Sequence, residues 1–222
     1  MHEKETKEDQ MKLYLRAEPT EESRALLLMH QKEIYKTLIS TGIDPRLSSK
    51  DDLHRTEIFL GSAKDWTNAF KRVGVSIKIT RENLFNFLKG VNINNKPSDG
   101  SPIKYDVFNT NHSNFAAVLR LSTNDFTKQT LTNIHKNIFE WTKQNNISEE
   151  LTKKLLTAPF SPLARDRDLP KAHVTLARGR LTKISFTEVE KVFERIHLVS
   201  IQPIEFEQIN LRAVGTKEIF NT

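Results

Sequence analysis

Apolar positions alternate with polar ones in short runs along the chain. Between these runs lie longer stretches in which apolar residues recur every three or four positions. The switch between a period of two and one of about 3.6 predicts strands interleaved with amphipathic helices. "MKLYLRA" (11–17) reads as the first strand. In the helix that follows, Leu26, Leu27, Ile34, Leu38 and Ile39 form the stripe, with acidic residues crowding its start and Gly42 placed to end it. "LHRTEIFLG" (53–61) and "VGVSIKIT" (73–80) predict a second and a third strand, and "TRENLFNFLKG" (80–90) a short helix closing at Gly90. "VNINNKPSDGSP" (91–102) is the most loop-like stretch, broken by Pro97, Gly100 and Pro102.

The second half repeats the order. "IKYDVFN" and "FAAVLRLS", separated by "TNHSN", predict a β-hairpin. A long helix follows with Leu131, Ile134, Ile138 and Trp141 in its stripe and Asn124 as N-cap, then a shorter one in "ISEELTKKLLTA". "PFSPLARDRDLPK" is a loop that delivers the chain into the strand "AHVTLARGR" (172–180). The helix "SFTEVEKVFERIH" and the alternating "IQPIEFEQINLRAVG" close the chain. Two strand–helix–strand halves predict a bilobal α+β fold over 11–222, behind a charged flexible tail at 1–10.

With 222 residues and 37% hydrophobic content, one domain of this size supports a core without covalent staples. The chain has no cysteine, which excludes disulfides, thiolate metal sites and a cysteine nucleophile. No apolar run is long enough to span a membrane and no signal-peptide pattern is present, so the expectation is a cytoplasmic or nuclear protein. A formal net charge of +6 favours a phosphate-bearing partner.

The candidate chemistry lies in two strands. In "AHVTLARGR", His173, Thr175 and Ala177 are expected on one face, with Val174 and Leu176 on the other. "LHRTEIFLG" repeats the spacing with His54 and Thr56. Two such strands facing one cleft present two imidazoles and two hydroxyls. That set suits cleavage of a phosphodiester: one neutral imidazole takes a proton, the other, protonated, gives one to the departing oxygen, and the hydroxyls hold the phosphate. The scheme calls for no metal and no cofactor. No metal-binding or P-loop motif appears, and His30, His112, His135 and His197 read as surface or capping residues.

These stretches resemble the two-histidine phosphoesterases, whose signature is a pair of H-x-T/S-x motifs, and within them the RNA 2′,3′-cyclic phosphodiesterases, also called 2′-5′ RNA ligases. "PRLSSKDDLHRTEIFLG" is similar to that branch's R-W-V-x-x-x-N-L-H-L-T-L-x-F-L-G, with Arg46, Leu53, His54, Thr56, Phe59, Leu60 and Gly61 in register; "AHVTLARGR" is similar to its P-H-I-T-L-A-R. The resemblance implies two pseudo-symmetric antiparallel sheets around a central cleft, with helices outside. It makes His54 and His173 the catalytic pair and Thr56 and Thr175 the phosphate holders. Arg178, Tyr105 and Phe108 become candidates for an outer shell or for substrate contact, with Phe115 on the same hairpin. Hydrolysis of 2′,3′-cyclic phosphate RNA ends to 2′-phosphates is the implied activity. Alternatives are cleavage of 2′,5′-oligoadenylates or cyclic dinucleotides, or RNA binding without turnover. The implied partner is RNA or a small nucleotide, and the chain is expected to be a monomer. Lys71, Arg72, Lys78 and Arg81 after the first motif, and Arg165, Arg167 and Lys171 before the second, are placed to attract a phosphate chain. The chain departs from the family at Arg55 and Glu57, which stand where apolar residues pack against a helix. Either they pair with each other or with neighbours, or that helix is absent.

Overall fold

The computed structural model describes residues 10–91, 99–111, 113–122, 125–164, 172–181, 184–213 and 219–220. Asn124, His112, Arg165, Arg167, Lys171, most of the loop at 91–102 and most of the 1–10 segment lie outside them.

The strands are β1 (Leu13–Pro19), β2 (Arg46–Leu47), β3 (Arg55–Gly61), β4 (Pro102–Asn111), β5 (Asn114–Leu121), β6 (His173–Arg180), β7 (Phe206–Ala213) and β8 (Ile219–Phe220). The helices are α1 (Glu21–Ser40), α2 (Ala63–Arg72), α3 (Arg81–Phe87), α4 (Asp125–Gln144), α5 (Glu149–Thr157) and α6 (Phe186–Phe193). Local chemistry sets their starts. Thr20 caps α1 through Ser23 N, and Ser62, Thr80 and Ser185 each close a capping box.

All strands join one antiparallel sheet in the order β4-β5-β6-β3-β1-β7-β8, with β2 on the inner edge of β6. Its two halves meet at a narrow seam. β3 and β6 pair only at Arg55↔Val174 and Thr56↔His173, whereas β4–β5, β5–β6 and β1–β7 pair over most of their lengths. The implied pair of sheets is therefore one sheet, pinched in the middle, and β2 takes over as partner of β6 at Arg46↔Arg178 once β3 diverges.

One face of this sheet is apolar. Leu13, Leu15, Ala17, Ile58, Leu60, Phe115, Leu119, Val174, Leu176, Ile209 and Leu211 are all buried in a single cluster, against which α1, α4 and α6 pack. Burial on this scale drives the fold. Gly179 is buried opposite Phe115 in the β5–β6 ladder. A Cβ there would lie 2.4 Å from the Phe115 ring, so only hydrogen fits.

The stretch 73–80 is not a strand. Residues 75–80 pair with no strand and run as irregular chain against α2, the Ile79 N–H donating to Thr67 Oγ1 at 2.9 Å.

Candidate active site

The two H-x-T motifs lie side by side on the polar face of the sheet. Thr56 is directly opposite His173 across the seam, and His54 and Thr175 flank that pair on the same face. All four are half-buried.

Asp52 sets the state of His54. The imidazole Nδ1 lies 2.7 Å from the Asp52 carbonyl oxygen, which can only accept, so Nδ1 carries the proton and Nε2 keeps its lone pair. Burial, helped by the charge of Arg16, pushes the His54 pKa down to about 4. At neutral pH the ring is a neutral base with a fixed tautomer. Across the seam, His173 meets the Phe108 ring edge-on at 4.9 Å, and the Arg120 guanidinium lies 5.6 Å over the same ring.

Two β-bulges decide what else reaches this face. In β6, opposite the Ala117/Val118 step, Leu176 and Ala177 both turn into the core and are fully buried. Ala177 is therefore not on the face of His173, and Arg178 is: it pairs with Ala116 on the site side and is exposed. The Gln31 side chain of α1 holds this bulge, its Nε2 donating to the carbonyls of Leu176 and Ser48 at 2.8 Å each. In β3 the extra residue is Glu57. Glu57 and Ile58 both face the core, and Phe59 returns to the site face beside its β1 partner Tyr14.

The same face carries Lys12, Arg16, Arg46, Lys104, Arg120, Arg178, Arg180 and Arg212 against Glu18 and Asp106. Glu18 holds three arginines: Arg16 at 2.5 Å, Arg212 at 3.4 Å and Arg24 at 3.7 Å. This excess of cations on one sheet face gives it a field that attracts polyanions. Of these groups, Arg16 and Glu18 had a signal in the sequence, since they continue the polar side of "YLRAE". The Asp52 carbonyl had none, because any residue supplies one.

Tyr105 is not part of this site. It faces the core, 2% exposed, where its hydroxyl shares a 2.7 Å hydrogen bond with His30 Nδ1 and accepts from Val199 N. Burial pushes the tyrosine up to about 12 and His30 down to about 4. His30 is thus a fully buried residue of the core and not a surface or capping one. Phe115 is buried beneath Gly179, so of the hairpin aromatics expected near the cleft, Phe108 alone faces it.

Arg55 and Glu57 pair with each other on the buried side of β3. Arg55 Nε donates to Glu57 Oε1 at 2.6 Å, its Nη2 closes on the same oxygen, and Thr127 Oγ1 of α4 donates to Glu57 Oε2 at 2.6 Å. The guanidinium lies 4.1 Å over the Phe206 ring. The expected helix is present, and its threonine completes the carboxylate.

No protein-family model matches the sequence, and no curated protein matches it. Solved structures do. Kluyveromyces marxianus Usb1 is 10% identical and superposes with a TM-score of 0.51, over 94% of this chain and 96% of that one. TT0787 of Thermus thermophilus is 16% identical with a TM-score of 0.46, over 90% and 87% of the two chains. Escherichia coli LigT is 13% identical with a TM-score of 0.41, over 91% and 87%. A single pinched antiparallel sheet with helices packed on its apolar face is the architecture the chain shares with Usb1 over nearly the whole of both chains.

Proposed function

We propose that the protein is a phosphodiesterase that hydrolyses 2′,3′-cyclic phosphate ends of RNA to 2′-phosphates, with His54 as general base and His173 as general acid. The observation that carries this reading is the Nδ1–H bond to the Asp52 carbonyl. It leaves a neutral imidazole with its Nε2 lone pair beside a second H-x-T motif across a two-residue seam. His54 Nε2 takes a proton from water as the water oxygen attacks phosphorus. The P–O3′ bond breaks in line, and the imidazolium of His173 delivers its proton to O3′, leaving the 2′-phosphate. Thr56 and Thr175 donate hydroxyl hydrogen bonds to the non-bridging oxygens, and Arg178 faces the charge that grows on them. Each proton-transfer group of this kind contributes about 10²–10⁴ in rate. The wide cationic face supports a polyanionic nucleic-acid substrate over a small molecule with a single phosphodiester charge.

The test is a panel of three substrates, each with EDTA present: a short RNA ending in a 2′,3′-cyclic phosphate, 2′,5′-linked triadenylate and a cyclic dinucleotide. The expected result is that the cyclic end gains one water and yields a 2′-phosphate, resolved from the 3′ isomer by chromatography and mass. Cleavage of another member of the panel with the cyclic end untouched would replace this substrate assignment with that one.

A further inference from the structure

The polar face of the sheet continues past the histidines along β1 and β3. The Tyr14 ring lies 5.5 Å from that of His54, and its cross-strand partner is Phe59, half-buried on the same face. Beyond Phe59 the face ends in a depression of about 290 Å³, floored by Lys12, Phe59 and Gly61. One wall is α2, which presents Asp65, Asn68 and Arg72 at helical spacing. The other is the turn 159–164, which carries Phe160. The Arg72 guanidinium stands 5.3 Å over the Phe160 ring. Lys12 and Arg72 have no ion-pair partner among the described residues, so both charges face solvent across the depression.

From Arg16, beside the catalytic histidine, to Lys12 at this depression is four strand residues, about 13 Å. A cyclic mononucleotide held at the histidines would not reach it. The intervening surface alternates aromatic rings with cations, the combination that binds single-stranded nucleic acid by stacking bases and neutralising the backbone. The volume, at the lower end of the range for ligand sites, fits one nucleotide-sized unit. Asn68 and Asp65 line the same wall and offer donor and acceptor groups to a base edge.

Resting on the phosphodiesterase reading, we propose that Tyr14, Phe59 and the Arg72–Phe160 pair form a track for a single strand of nucleic acid running on from the scissile phosphate. The substrate class is then an oligonucleotide, with a base seated in the depression, and not a cyclic mononucleotide.

The test uses fluorescein-labelled oligouridylates of one, two, three and five nucleotides, each ending in a 3′-phosphate. Their dissociation constants are measured by anisotropy with the parent protein, Phe160→Ala and Arg72→Gln. Affinity is expected to rise about tenfold between the one- and three-nucleotide probes, the effect of one stacked base. In Phe160→Ala the three-nucleotide probe should bind no better than the single nucleotide. Circular dichroism and thermal melting confirm folding; if Phe160→Ala fails to fold, Arg72→Gln, an exposed change, decides by the same criterion. An affinity independent of length, or a length gain that survives both substitutions, overturns the track. Length-dependent binding with no cleavage of any substrate would uphold the track and sink the phosphodiesterase reading. Cleavage with no length dependence would do the reverse.

Discussion

Replacing His54 with alanine is expected to lower the rate of cyclic-phosphate hydrolysis by about 10²–10⁴, and replacing His173 by a comparable factor. The two losses should not multiply in the double variant, since a base without its acid partner completes no turnover. Neither change should unfold the protein. Both side chains are half-buried on the open face of the sheet, and the apolar cluster lies on the other side of their strands. Binding of a nucleotide should survive both changes, because Thr56, Thr175 and the surrounding cations remain. Single-turnover rates beside equilibrium binding measure the two effects separately. Full activity in either variant would remove that histidine from the mechanism.

The second large effect falls on stability. Glu57→Leu strands the Arg55 guanidinium in the core, where both side chains are fully buried, and should cost about 3–5 kcal/mol in urea unfolding. A domain with a total stability of about 5–15 kcal/mol feels such a loss strongly. The double variant Arg55→Met/Glu57→Leu removes both charges together. It should recover most of the loss and could exceed the parent, as apolar replacements of buried ion pairs often do. Thr127 then loses its carboxylate acceptor, a smaller penalty of about 1 kcal/mol. A double variant as unstable as the single one would show that the pair holds β3 to α4 in a way that packing cannot replace.

That pair also marks where reading the sequence stopped. Alternation placed His54 and Thr56 on one face and Arg55 and Glu57 on the other, which the family resemblance sets against a helix, and both statements describe the structure. Alternation cannot show whether two buried charges find each other, because that depends on side-chain geometry. Bulges defeated the same reasoning further along the strands. Nothing in "TEIFLG" or "TLARGR" announces an extra residue, yet one at Glu57 brings Phe59 to the site face, and another at Leu176–Ala177 exchanges Ala177 for Arg178. Tyr105 sits three residues from Phe108 on β4, an odd spacing that puts the two on opposite faces. Period-two reasoning separates them without a structure. The third strand expected at 73–80 fails for another reason: its alternation is genuine, with Ile79 buried, but its backbone bonds to the Thr67 side chain of α2 and not to a neighbouring strand. Such a choice of partner is a property of the whole fold and is invisible in a local window.

The central claim is that His54 enters the reaction as a neutral base with its proton on Nδ1. The most direct test is the pH dependence of kcat/KM for cyclic-phosphate hydrolysis, which reports the ionisations of the free enzyme. Burial and the charge of Arg16 favour the neutral ring, so the base form dominates at every pH above about 4. The acid limb should therefore rise through a midpoint near 4, well below the ordinary histidine value of about 6.5. It should be absent from the residual activity of His54→Ala. If activity instead falls as the pH climbs through 4, His54 works as the acid and the assignment is reversed; an acid limb centred at 6.5 or above would contradict the claim outright.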